Sequence, residues 1–181
     1  MEKYKSVNDS KVSITELMQP SHSNFGGKVH GGYILNLMDQ IAFACASKHS
    51  QSYCVTASVN RVDFLSAVEV GDLLTLKGSI NYTGKTSMVV GVRVEAENII
   101  TGKKRHCNSS YFTMVAKDEK GINLKVPGLI IKDKEGMRRF ARSKERKLSA
   151  FQRDSKYDAK NFKIQEYSDF LKDENIKLVL T

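Results

Sequence analysis

Partway along this chain the hydrophobic period changes once, and that change leaves few folds open. From His30 to about Ser47, Ile34, Leu35, Met38, Ile41, Ala42 and Cys45 recur at offsets of three and four, which places them on one stripe of an α-helix. After Tyr53 the period becomes two. Residues 53–65, 72–84, 86–100 and 103–116 alternate and carry many β-branched and aromatic side chains, so four successive strands are expected. Gly71-Asp72, Gly84-Lys85 and Thr101-Gly102 separate them with turns too short for crossover helices, which favours an antiparallel meander. A shorter alternating stretch, Ser13 to Met18, reads as a strand ahead of Pro20 and the turn-forming residues 21–27. One long helix against such a sheet makes an α+β layer.

A chain of 181 residues accommodates one such domain and an appendage, and 40% hydrophobic with 27% charged residues excludes a disordered chain. From residue 132 the composition shifts to helix formers and charge, so residues 1–131 are expected to form the domain and 132–181 a basic, largely helical C-terminal extension. The net charge of +9, concentrated in Arg138, Arg139, Arg142, Lys144, Arg146 and Lys147, favours polyanions in general. No aromatic-interleaved face or nucleic-acid motif accompanies it, so nucleic acid is not expected as a partner. The N-terminal residues lack the apolar core of a secretory signal, and no segment has the length of a membrane span, so a cytoplasmic location is expected. Cys45, Cys54 and Cys107 are too widely spaced for a metal knuckle, and His22, His30, His49 and His106 show no ligand spacing; no metal is expected.

The junction formed by residues 24–40 carries the chemistry. A glycine pair at a helix start, Gly31-Gly32, leaves backbone N–H groups accessible, and with the positive end of the helix dipole these polarise a carbonyl oxygen. Gly32 is the expected principal donor, with His30 capping the helix or shaping the loop beside it. Asp39, four residues after Leu35 and three before Ala42, borders the apolar stripe, where a carboxylate is incompletely solvated and can act as base or nucleophile. The Gly84-Lys85-Thr86-Ser87 loop offers flexible backbone, a cation and two hydroxyls, a set suited to phosphate. It is not a P-loop, because Ser79 stands where the earlier glycine is required.

Asn24, Gly26, Gly27, His30 to Gly32 and Asp39 together resemble the signature of hotdog acyl-CoA thioesterases, and the similarity extends over roughly residues 10 to 118. The resemblance implies a hotdog fold, in which a long central helix is wrapped by a curved antiparallel sheet. It implies hydrolysis of acyl-CoA with no cofactor, coenzyme A being part of the substrate. It also implies a homodimer at least, with a trimer of dimers common in the family. Asp39 would be general base or nucleophile, Asn24 would come from the neighbouring subunit, and the strand holding Ser58 and Asn60 would line the acyl-pantetheine channel. Ala67 departs from the family, which usually has proline there, and a stability difference is expected. The alternatives are a non-catalytic acyl-CoA sensor and a hotdog dehydratase or hydratase; the latter normally needs a paired histidine and acid, and no such histidine accompanies Asp39.

Overall fold

A computed structural model of the chain describes residues 3–156 and 175–176. In order the elements are β1 (Tyr4–Ser6), a 3-10 turn (Val7–Ser10), β2 (Val12–Leu17), a second 3-10 turn (Pro20–His22), α1 (Gly31–Ser50), β3 (Tyr53–Val59), β4 (Asp72–Thr83), β5 (Ser87–Asn98), β6 (Lys104–Lys117), β7 (Gly128–Ile130) and α2 (Lys134–Lys156). Five strands form an antiparallel sheet in the order β2-β4-β5-β6-β3 that curls around α1, while β1 and β7 make a separate parallel pair. This is the α+β hotdog arrangement that the sequence resemblance implies. β1 and β7 are three residues each, too short to leave a periodic signal.

The 3.6-residue stripe of α1 is what the sheet closes over. Ile34, Met38, Ile41 and Cys45 are buried with Leu76 and Ile80 of β4, Val90 of β5 and Phe112 of β6 in one apolar cluster. Each large aliphatic side chain removed from water in this way contributes about 1.5–3 kcal/mol. The helix ends where Gln51 takes a left-handed conformation, φ 56°, and returns its N–H to Ser47 O at 2.8 Å. Gly78 lets the helix approach β4: a Cβ there would lie 2.6 Å from Cys45 Sγ and 3.1 Å from Ile41 Cγ1. Gly78→Val is therefore expected to destabilise the fold by about 1–3 kcal/mol or more, as overpacking does, with a matching drop in thermal midpoint. An unchanged midpoint would show that α1 can move off the sheet freely.

The strand expected over residues 53–65 stops at Val59. The β3–β6 register shifts between Thr56 and Ser58, and Asn60 then turns both its backbone N–H (2.9 Å) and its Nδ2 (3.2 Å) onto Tyr111 O. Beyond it the chain leaves the sheet, tethered by Leu65 N–H to Cys107 O and by the Arg105 guanidinium, which donates to Ala67 O from Nε (3.2 Å) and Nη2 (3.0 Å). Arg105 also pairs with the buried Asp72, which accepts from Glu69 N–H as well. At the position where the family usually has proline, this tie holds the turn.

The last turn of α1 contains a buried imidazole. His49 Nε2 meets Pro127 O at 3.0 Å, Lys5 Nζ donates to His49 O at 2.9 Å, and Nδ1 has no partner among the described residues. Burial is the main cause that lowers the His49 pKa below 6.5; the Lys5 charge lowers it further, against Pro127 O and Asp9. In the unfolded chain the group binds its proton at higher pH than in the fold. Stability is thus fully present above the ordinary histidine value and declines as pH falls toward the lowered folded value. Melting curves from pH 8 to pH 5 should fall for the parent and run flatter for His49→Asn; equal slopes would remove His49 as the cause.

The chain divides into two compact units, Met1–Ser143 and Lys144–Thr181. Within the first, α2 begins with Glu135 bonded to Arg138 and Arg139, and Phe140 lies 4.9 Å from the Tyr82 ring. Arg138, Arg139, Arg142, Lys144 and Lys147 are exposed. No helix of the described residues is long and apolar enough to cross a membrane.

Candidate active site

Asp39 stands half-buried on α1, beside the end of the sheet formed by β3. Thr56, on β3 and paired with Met114 of β6, donates from Oγ1 to Asp39 Oδ1 at 2.6 Å. This bond fixes one carboxylate oxygen; among the described residues nothing holds the other. Both residues line a cleft of about 570 Å³ with Ile14, Gln40, Phe43 and Tyr53. The rings of Phe43 and Tyr53 meet edge to face at 5.9 Å and remain well exposed. An anchored carboxylate with a free oxygen, set against apolar walls, can take a proton from water or attack an electrophilic carbon.

At the head of the helix, His30 is the N-cap and its Nδ1 accepts from Gly32 N–H at 2.9 Å. The group singled out from sequence as the oxyanion donor is therefore already bonded within the chain. Gly31 N–H, by contrast, has no partner among the described residues, and the Phe64 ring stands beside Gly31. Asn24 is exposed at the start of a tight loop, where its Oδ1 accepts from Gly26 N–H (2.9 Å) and Lys28 N–H (3.2 Å); the neighbouring Phe25 is fully exposed. Asn24 is not among the residues that line the Asp39 cleft of its own chain.

Gly84, Lys85, Thr86 and Ser87 form the β4–β5 turn. Gly84 N–H closes it onto Ser87 O at 2.7 Å, and the Lys85 and Thr86 carbonyls accept from Val126 and Ala116. Lys85 itself is exposed. Ser87 pairs with Val115, which pairs with Val55, so the turn lies two interstrand spacings, about 10 Å, from the strand that bears Thr56. Ser58 is exposed on β3, whereas the Asn60 carboxamide is occupied by Tyr111 O. Thr56 is the site residue that sequence reasoning missed. The one available signal is parity: Thr56 follows the buried Cys54 by two, a polar residue on the core-facing side of the strand.

A curled antiparallel sheet around a central helix is the hotdog fold, and this chain shares it with solved thioester hydrolases. The thioesterase superfamily model matches residues 26–103. The protein VdlD of Helicobacter pylori is 40% identical over 138 residues, covering 76% of this chain and 79% of that protein. A hexameric acyl-CoA thioesterase superposes with a TM-score of 0.81 at 38% identity, covering 83% of this chain and 97% of that one. An acyl-CoA hydrolase from Staphylococcus aureus, solved with butyryl coenzyme A, coenzyme A and coenzyme A disulfide, has a TM-score of 0.72 at 31% identity, with coverage of 82% and 95%. The chain belongs to the thioesterase superfamily and is a thioester hydrolase.

Proposed function

We propose that the protein hydrolyses acyl-coenzyme A to a free acid and coenzyme A. The observation that carries this reading is the Asp39–Thr56 pair at the mouth of an apolar cleft. Water attacks the thioester carbon as Asp39 takes its proton, the C–S bond breaks, and the proton passes to the departing thiolate; direct attack by Asp39 is the other route open to the same geometry. The developing oxyanion is received at the head of the neighbouring subunit's α1, by its Gly31 N–H, with its Gly32 N–H joining once the His30 ring turns aside, because within one chain Gly31 lies about 12 Å along the same helix from Asp39. The S. aureus hydrolase supports the assignment. Its structures include alanine replacements of an asparagine, an aspartate and a threonine spaced 15 and 17 residues apart, as Asn24, Asp39 and Thr56 are here.

The protein acts as a homodimer at least, in which Asn24 completes the partner's site and the two β3 edges join the sheets. Among the described residues β3 pairs on one side only, with Tyr53 and residues 56–59 exposed, and Phe25 gives the Asn24 loop an apolar anchor. Lys85 and the Ser87 end of its turn receive the phosphates or pantetheine of coenzyme A, and Ser58 lines the channel between. Release of free thiol from short-, medium- and long-chain acyl-CoAs tests the reading. Turnover on one chain-length class is the expected result; binding without turnover would move the protein to the non-catalytic sensors.

A further inference from the structure

Beside the glycine junction lies a cluster that the proposed chemistry does not use. Tyr33, in the first turn of α1, donates its hydroxyl to Glu16 Oε1 of β2 at 2.5 Å. His22 stacks on the Tyr33 ring, with centroids 4.0 Å apart and planes 18° from parallel. His22 Nδ1 accepts from Gln19 N–H at 3.3 Å, so the ring proton sits on Nε2, which faces Glu16 Oε1 at 3.9 Å. The bond to Glu16 raises the Tyr33 pKa above its ordinary value, so the phenol keeps its proton and remains a donor. His22 is 15% exposed and Glu16 33%, well outside the main apolar core.

His22 is the root of the loop that bears Asn24. Its carbonyl accepts from His30 N–H at 2.8 Å, Ser23 bridges to Val29, and Asn24 N–H donates to Lys28 O at 2.6 Å. With the Asn24 Oδ1 bonds, these make the loop stiff. Its exit side is fixed to the rest of the domain by Val29 N–H on Val68 O and by the Lys28–Glu69 pair. On its entry side the side-chain anchor is His22 against Tyr33. A stiff loop held at two roots points in one direction; released at one, it pivots.

We infer that Glu16, Tyr33 and His22 form a positioning clamp that sets the angle at which the loop presents Asn24 to a neighbouring subunit. The inference rests on the reading of Asn24 given above. It makes the three side chains positioning residues, acting through Asn24 and not on the substrate. A clamp of this kind alters turnover without altering affinity, because substrate binding to the cleft does not involve it.

The test is thiol release by the full-length protein, with kcat and KM measured separately for Tyr33→Phe, Glu16→Gln, Asn24→Ala and the Tyr33→Phe/Asn24→Ala double variant, alongside melting curves. Tyr33→Phe keeps the stack and loses the tie to Glu16; kcat should drop roughly tenfold, within the hundredfold that a 1 Å displacement can cost, with KM held to about twofold. Glu16→Gln retains an acceptor for the phenol and should keep kcat within about threefold of the parent. In the Asn24→Ala background, assayed with enzyme in excess, Tyr33→Phe should cost nothing further, since the group it positions is gone. A silent Tyr33→Phe, or a loss undiminished in that background, overturns the clamp. If Tyr33→Phe lowers the melting point, Glu16→Ala compared with Glu16→Gln in both backgrounds decides by the same rule. A silent Asn24→Ala overturns the assigned role of Asn24 and the clamp with it, whereas an additive Tyr33→Phe removes the clamp alone.

Discussion

Replacing Asp39 with alanine should lower kcat for acyl-CoA hydrolysis about a thousandfold, within the range a positioned base supplies, while the fold survives. The side chain is half-buried, and its described hydrogen bond comes from Thr56. Its removal therefore takes away the reacting carboxylate and leaves one threonine hydroxyl to find water. Thr56→Ala provides the graded comparison. A hydrogen bond to a charged group is worth about 1.5–3 kcal/mol, so losing the group that fixes Oδ1 should cost roughly ten- to a hundredfold in kcat. Rates that are indifferent to Asp39 would sink the mechanism, and a Thr56→Ala enzyme as active as the parent would reduce the pair to a packing contact.

The second large effect is a gain. If Asn24 of one chain completes the site of another, Asn24→Ala and Asp39→Ala preparations each retain only a small residual rate, yet mixing them by co-refolding restores activity. A two-fold dimer has two equivalent sites; a mixed dimer carries both lesions in one site and neither in the other. With random pairing, half the dimers are mixed and one site in each works, so recovery should reach about a quarter of the parent rate. No recovery from a mixture shown to contain mixed dimers would mean that both residues serve the same chain. The open cleft at Asp39, which Asn24 does not line, is what makes this experiment decisive.

The long elements were legible because their periods run unbroken. The stripe from Ile34 to Cys45 spans more than three turns, and β4, β5 and β6 alternate over twelve or more residues. The end of β3 was not legible. Residues 60–65 continue to alternate, but the register shift on β6 and the Asn60 bonds to Tyr111 O decide where pairing stops, and both depend on a strand distant in sequence, Tyr111 lying 51 residues from Asn60. The site divides in the same way. Asp39 could be singled out as a candidate from its distance to the glycine pair, because the helix fixes that geometry locally. Thr56 looks like any strand threonine until the sheet brings it against α1. Gly32 was picked for an accessible N–H with His30 capping the helix beside it; that the His30 ring caps by accepting from Gly32 itself depends on side-chain placement that only the structure shows.

The unpaired side of β3 has a consequence beyond the site. Among the described residues, the seven-residue β3 strand has no neighbour along one edge, and its end residues Tyr53 and Val59 are exposed. Such an edge is a template for any extended chain that meets it. If like chains join at this edge, as proposed, the right partner must capture it before a wrong one does, and the yield of native protein then depends on how quickly like chains find each other. On dilution, activity should decline more steeply than protein concentration, because subunits without partners lose completed sites.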